Sequence, residues 1–176
     1  MMHIVHQYAQ KALAGEIAVG PHVRNQCHRH LNDLKRTDIY FDEAAADRAI
    51  GFFENVLKLS EGQFEGVPFK LHISQAFIVG SIFGWKKPDG FRRYRRCYLE
   101  MGKGNGKSPL AGGMGLYGLM ADGESGAQIY AAAAKKEQAM ILFQDAVKMV
   151  RQSPALEKRI TPSGVNPVWN LAYISN

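Results

Sequence analysis

The glycine-rich stretch EMGKGNGKSPLAGG, residues 100–113, constrains the fold of this chain more than any other feature. It follows FRRYRRCYLEM, whose last residues alternate between apolar and polar as in a strand, and it precedes SPLAGGMGLYGLMADG, which can form a helix. Pro109 suits a first helical turn, where no backbone donor is needed. Small residues at such a junction predict either a loop whose N–H groups bind an anion or an ordinary turn.

The neighbouring elements predict an α/β fold. AQIYAAAA, residues 127–134, has the composition of a buried strand, and apolar residues at helical spacing follow it. The order strand, glycine loop, helix, strand and helix is typical of a right-handed parallel βαβ unit. VPFKLH and VWNLAYISN are further strand candidates, and the chain before residue 63 predicts three helices. We therefore expect a helical segment over 1–62 that packs on a parallel-sheet core over 63–176.

The loop matches most of the phosphate-binding pattern G-x-x-x-x-G-K-[ST]. Gly106, Lys107 and Ser108 supply the last glycine, the lysine that reaches the terminal phosphates and the hydroxyl that can bind magnesium. Met101 stands where the pattern has its first glycine, although other glycines keep the loop backbone permissive. The position of the loop between a strand and a helix favours phosphate binding over an ordinary turn.

The positive charge of the chain is concentrated beside this loop. The whole chain carries a net charge of +6, and residues 86–107 hold eight lysines and arginines against two acidic residues. Clustered cations attract polyphosphate or nucleic acid. The alternative is a solvated basic hairpin that binds no anion.

Two other motifs suggest metal sites, but each has a simpler structural explanation. CHRH, residues 27–30, resembles a zinc motif, yet on a helix His28 and His30 point roughly 200° apart, and no second pair of ligands follows. IYFDE, residues 39–43, resembles a strand that ends in magnesium-binding carboxylates, but a helix N-cap at Asp42 explains it better.

The sequence gives no sign of a membrane or secreted protein. It has no run of eighteen apolar residues, and its first residues lack the layout of a signal peptide. Cys27 and Cys97 are neither spaced as a metal pair nor numerous enough for a disulfide framework, so we expect two reduced thiols.

Most of the sequence resembles the N-terminal part of the large terminase subunit of tailed bacteriophages, the ATP-driven motor that packages DNA into proheads. The segments that carry the resemblance include YAQKALAGEI, CHRHLNDL, SQAFIVGSIFGWKKPDGFRRYRRCYLEM, GNGKS and LYGLMADGESGAQIYAAAAKKEQAMILFQDAVKMVRQSPAL. The resemblance implies an additional-strand P-loop ATPase domain followed by a ribonuclease-H-like nuclease domain. It also implies a phosphate loop without the first glycine, which accounts for Met101.

The resemblance assigns ATP and Mg²⁺ as cofactors and gives the loop residues their roles. Lys107 corresponds to the catalytic, phosphate-binding lysine and Ser108 to the magnesium-binding hydroxyl. Gly104, Asn105 and Gly106 correspond to the loop backbone that binds the nucleotide.

Two further residues are assigned by the same resemblance. Gln75 corresponds to the glutamine that reads adenine, although a polar residue in the first turn of a helix is the alternative. Relatives have an arginine where Lys103 stands in the sequence Gly-Lys-Gly. A lysine keeps the charge but lacks the bidentate fork of arginine, so we expect Lys103 to replace the catalytic arginine only in part.

ATP hydrolysis also needs a magnesium-binding Asp and a catalytic Glu on a strand after the phosphate loop. Neither AQIYAAAA nor VWNLAYISN ends in carboxylates. We therefore expect a truncated ATPase domain, without the acidic motif and the nuclease domain, that binds nucleotide but turns it over poorly or not at all. The alternative is a noncatalytic module that binds DNA or protein through the basic hairpin at 86–103.

For the full-length protein, the resemblance implies several partners. They are double-stranded DNA, the small terminase subunit, the portal and further copies in a homo-oligomeric ring, without a membrane. A phage or prophage protein of this kind would work in the cytoplasm of the bacterial host.

Overall fold

The structure is a computed structural model that describes residues 2–60 and 62–173. Its contacts group the chain into two compact units. The first unit comprises Met1–Ile50 and Leu71–Leu99, and the second comprises Gly51–Lys70 and Glu100–Asn176. The division at residue 62, into a helical segment and an ATPase core, stays a prediction.

The first unit is mainly helical. Its elements are α1 (Ile4–Ala14), α2 (Pro21–Asp33), β1 (Tyr40–Phe41), the N-terminal half of α3 (Glu43–Val56), α4 (Ile73–Gly84) and β2 (Trp85–Lys86). Gly15 ends α1 with a φ of 83°, a left-handed conformation that glycine adopts without strain. Asp42 accepts a hydrogen bond from the Ala45 N–H at 2.9 Å, so the N-cap interpretation of IYFDE is confirmed.

Small residues let the helices of the first unit approach closely. A Cβ atom on Gly80 of α4 would lie 2.4 Å from Cγ2 of Val5 on α1, so no larger residue fits there without movement. The short strands β1 and β2 pair antiparallel, with Phe41 opposite Trp85. Phe41 and Trp85 belong to an aromatic cluster between the helices.

The second unit contains the predicted loop and the elements after it. They are the C-terminal half of α3, a 3₁₀ turn (Gly62–Phe64), α5 (Lys107–Met120), α6 (Lys136–Gln152), α7 (Pro154–Glu157), β3 (Ile160–Ser163) and β4 (Asn170–Tyr173). Two glycines of α5 sit at close helix contacts: a Cβ on Gly113 would lie 2.4 Å from Cε1 of Phe53 on α3, and one on Gly112 would lie 3.4 Å from the backbone N of Ala146 on α6. Packing against helices thus compensates for the low helix propensity of the glycines.

The prediction of parallel strands at 91–101 and 127–134 is wrong. Residues 91–101 and 127–134 form no strand, apart from a single bridge between Arg92 and Lys86. Tyr98 is 89% exposed and Tyr130 is 81% exposed, whereas strands of a parallel sheet are buried on both faces. Without a ladder partner among the described residues, these segments have no hydrogen-bonding reason to become strands.

The other two strand candidates have different outcomes. VPFKLH contributes one isolated bridge, between Lys58 and Pro68, and no strand. VWNLAYISN contains β4, which pairs antiparallel with β3, and its residues 174–176 lie outside the described residues. The sheets of the described chain are therefore two antiparallel pairs. None of the helices in the described ranges is long and apolar enough to cross a membrane.

Candidate nucleotide-binding loop

The glycine-rich loop leads directly into α5, which begins at Lys107. Gly106 is the N-cap, with a φ of 71°, and Gly104 has a φ of 85°, so both use a left-handed conformation that favours glycine. No side chain caps this helix end. Its first N–H groups therefore keep their capacity to donate to an anion, and the partial positive charge of the helix N-terminus adds to the attraction.

The loop is closed by contacts within itself. The Lys107 ammonium donates a hydrogen bond to the Met101 carbonyl at 2.9 Å. The Asn105 side-chain amide donates to the Gly102 carbonyl at 3.2 Å, and the Asn105 N–H approaches the same carbonyl at 3.4 Å. These contacts hold residues 101–107 as a compact turn with the lysine folded across it.

The remaining loop residues differ in their exposure to solvent. Ser108 is half-buried in the first turn of α5, and Lys103 is exposed. No group of three His, Cys, Asp or Glu side chains within residues 2–60 and 62–173 is arranged to hold a metal ion. The Ser108 hydroxyl is an oxygen donor of the kind that Mg²⁺ accepts.

Gln75 has a structural role in the first unit. Its side-chain oxygen accepts a hydrogen bond from the His72 N–H at 2.9 Å, while the His72 ring accepts one from the Ser74 N–H at 3.3 Å. This capping box begins α4. The loop belongs to the second unit, so an adenine-reading role for Gln75 stays a prediction.

Comparison with known proteins assigns the chain to a family. The sequence model described as the ATPase domain of the terminase large subunit matches residues 74–165, just over half of the chain. This chain belongs to that family. The terminase large subunit of Enterobacteria phage HK97 is 33% identical over 121 residues, which are 67% of this chain and 23% of the relative.

A solved structure supports the same assignment. The crystal structure of the HK97 bacteriophage large terminase matches this chain with a TM-score of 0.57 and 28% sequence identity, covering 68% of this chain and 23% of that one. This terminase chain thus spans about a quarter of the length of these relatives. The matched family is described as an ATPase domain, although the described residues form no parallel sheet.

His30, the second histidine of the CHRH motif, lies inside the first unit of the terminase chain. His30 is fully buried, and its Nδ1 accepts a hydrogen bond from Trp85 Nε1 at 3.0 Å. Because an indole N–H can only donate, the proton of neutral His30 must lie on Nε2, which is 2.8 Å from Nδ1 of His6. His6 Nε2 in turn faces a Glu43 oxygen at 3.5 Å. No sequence pattern indicates this relay of Trp85, His30 and His6, since its members lie far apart in the chain.

Burial controls the protonation of this relay. Removal from water, with a smaller contribution from the neighbouring His6, lowers the pKa of His30 to about 3. Burial also lowers the pKa of His6, with a contribution from His3. His30 is therefore a neutral structural residue, whose two ring nitrogens are already hydrogen-bonded.

The lysines and arginines of residues 86–107 differ in their contacts. Arg93 forms an ion pair with Asp33 of α2, and the Asp33 side chain is 8% exposed. The Arg93 guanidinium also lies 5.4 Å from the centre of the Trp85 ring. Lys87 pairs with Asp89 at 2.6 Å. Some of these cations therefore form ion pairs within the first unit, whereas Arg95 and Arg96 are exposed to solvent.

Proposed function

We propose that this terminase chain binds ATP with Mg²⁺ at residues 104–108 and is the nucleotide-binding part of a motor that packages DNA into proheads. The observation that carries the proposal is the start of α5, an uncapped helix end preceded by two glycines in the left-handed conformation. Such an end binds phosphate through main-chain N–H groups and the helix dipole.

The side chains of the loop suit the same ligand. The Lys107 ammonium lies at the helix start, where it donates to the Met101 carbonyl, and in the proposed complex it donates to a terminal phosphate instead. The Ser108 hydroxyl, in the first turn of α5, is the side chain that would hold Mg²⁺. Bound Mg²⁺ would supply charge neutralisation, while the chain's own groups bind and orient the triphosphate.

Lys103 and Gln75 have supporting roles in this proposal. Lys103 replaces in part the arginine of relatives, because it supplies a charge without the bidentate fork. We expect Lys103→Arg to tighten nucleotide binding and Lys103→Ala to weaken it. Gln75 reads adenine, for which its side-chain amide N–H groups can donate while the oxygen keeps its bond to the His72 N–H.

We propose that this chain by itself hydrolyses ATP poorly or not at all. Residues 127–134 contain no carboxylate, and the same is true of β4, Asn170–Tyr173. The buried carboxylate of Asp145 accepts a hydrogen bond from Ser60 at 3.1 Å, which gives it a structural role. In the complete motor we propose double-stranded DNA, the small terminase subunit, the portal and other copies in a ring as partners, in the bacterial cytoplasm.

Titration with a fluorescent ATP analogue in the presence of Mg²⁺ tests the binding site. Wild type should show saturable binding that Lys107→Ala weakens by at least about tenfold, since a charge-assisted contact to phosphate contributes more than about 1.4 kcal/mol. Lys158→Ala, which removes an equal charge from an exposed position, is the matched control and should bind as wild type does. Equal affinity of wild type and Lys107→Ala would contradict the proposal.

Phosphate release tests the second part of the proposal. With ATP and Mg²⁺, the wild-type chain should release phosphate at a rate close to that of Lys107→Ala. A rate well above that of the variant would show that the chain contains a complete hydrolytic site.

A further inference from the structure

We infer that Arg95 and Arg96, in the first unit of the chain, form a binding site for the phosphodiester backbone of nucleic acid, an inference that rests on the DNA partner proposed above. Residues 91, 92 and 94–97 line a cavity of about 390 Å³, together with Ile82 of α4. Three of the lining residues are arginines, and none is acidic. A concave surface of one charge sign concentrates counter-ions more strongly than a flat one.

The arginines of residues 92–96 differ in their contacts. Arg93 points into the first unit, where it pairs with Asp33 and lies over the rings of Trp85 and Tyr94. The Arg92 guanidinium lies 5.5 Å from the centre of the Phe83 ring. Arg95 and Arg96 are exposed at the cavity and form no ion pair with a described residue.

The segment is anchored although it has no regular secondary structure. Besides the Arg93 ion pair, the Tyr94 hydroxyl accepts a hydrogen bond from the Gln26 side chain of α2 at 3.2 Å. Two successive residues therefore fix the segment to α2, and the next two carry the free guanidinium groups. A fixed backbone lowers the entropy that these side chains lose when they bind a ligand.

The chemistry of the lining favours phosphate over base recognition. Guanidinium groups bind phosphate oxygens bidentately, and they keep their charge at every physiological pH. Arginine can also read guanine edges, but the major groove is entered by a helix or a two-stranded ribbon, and residues 91–101 form neither. The site should therefore bind nucleic acid with little sequence preference and with strong salt dependence.

Fluorescence anisotropy with a labelled DNA duplex, and with a single strand of the same length, tests the inference. Arg95→Ala/Arg96→Ala should weaken binding of the duplex by at least about tenfold and reduce the slope of log affinity against log salt by about two, at about 0.9 per phosphate contact. The control Arg151→Ala/Arg159→Ala removes the same charge from exposed positions of the second unit. It should retain most of the affinity and of the slope.

Several outcomes would overturn the inference: no DNA binding by wild type, equal losses in the two double variants, or an unchanged salt slope in Arg95→Ala/Arg96→Ala. A specific loss with either the duplex or the single strand supports it, and the ratio of the two affinities identifies the form that binds better. Circular dichroism of each variant verifies folding. The result is independent of the nucleotide proposal, because Lys107→Ala should bind DNA as wild type does, while Arg95→Ala/Arg96→Ala should still bind the ATP analogue.

Discussion

The buried relay of His30, His6 and Trp85 should make the stability of the chain depend on pH in a way that one substitution can isolate. A second proton on His30 would have to go to Nδ1, which accepts the hydrogen bond from Trp85. Protonation would therefore break that bond and place a charge in a fully buried ring. The perturbation that tests this is His30→Gln, whose side chain can still accept a bond from Trp85 and donate one to His6.

The magnitude follows from the two pKa values. The pKa of His30 is about 3 in the folded chain, against 6.5 for an ordinary histidine. Between these values the unfolded chain binds one more proton, so the free energy of unfolding falls by about 1.4 kcal/mol per pH unit as pH decreases. The stabilisation is complete above about pH 6.5, and roughly 2 kcal/mol of it is lost at about pH 5.

Urea unfolding of wild type and His30→Gln at about pH 7.5 and about pH 5 measures this effect. The loss of stability between the two pH values should be smaller in His30→Gln by roughly 2 kcal/mol. His28→Gln, an exposed position on the same helix, is the control and should keep the wild-type pH dependence. Parallel pH dependence in wild type and His30→Gln would refute the assignment of a neutral, doubly hydrogen-bonded His30.

Three substitutions and one thiol label test the packing. Gly113→Ala should destabilise the chain by about 1–3 kcal/mol through a clash on α5, whereas Gly115→Ala, whose Cβ would meet its nearest neighbour at 3.4 Å, should be neutral or stabilising in the same urea assay. Asp33→Asn should lower stability by about 2 kcal/mol, because Arg93 would lose a charged partner that is 8% exposed, and thermal unfolding measures it. Iodoacetamide should modify exposed Cys97 in the native chain and the buried thiol of α2 only after unfolding, as mass spectrometry can show. Partial removal from water raises the pKa of the exposed Cys97 thiol, so its labelling should accelerate as pH rises.

The helices could be predicted from sequence because their signals are local. Asp42 at the start of α3, Pro21 in the first turn of α2 and Gly15 after α1 each act within one helical turn, so the sequence around them contains the whole cause. The junction between loop and helix at Lys107 belongs to the same class.

The strands could not be predicted with the same success, because a strand depends on a partner elsewhere in the chain. Residues 97–101 alternate as a strand does, but alternation contains no information on whether a second strand lies beside it. The relay around His30 and the ion pair between Asp33 and Arg93 join residues that are tens of positions apart. Gln75 corresponds in sequence to an adenine-reading glutamine. In the structure its side chain forms part of the capping box of α4, as a polar residue in the first turn of a helix can.

The interleaving of the two units limits how this chain can be divided. The chain passes from one unit to the other after Ile50, after Lys70 and after Leu99, so each unit is made of two separate segments. A single cut at residue 62 would split the second unit, whose Ser60 and Asp145 are joined by a buried hydrogen bond. Limited proteolysis within 51–70 should therefore release no autonomous fragment, and an isolated first unit would require a gene that joins 1–50 directly to 71–99.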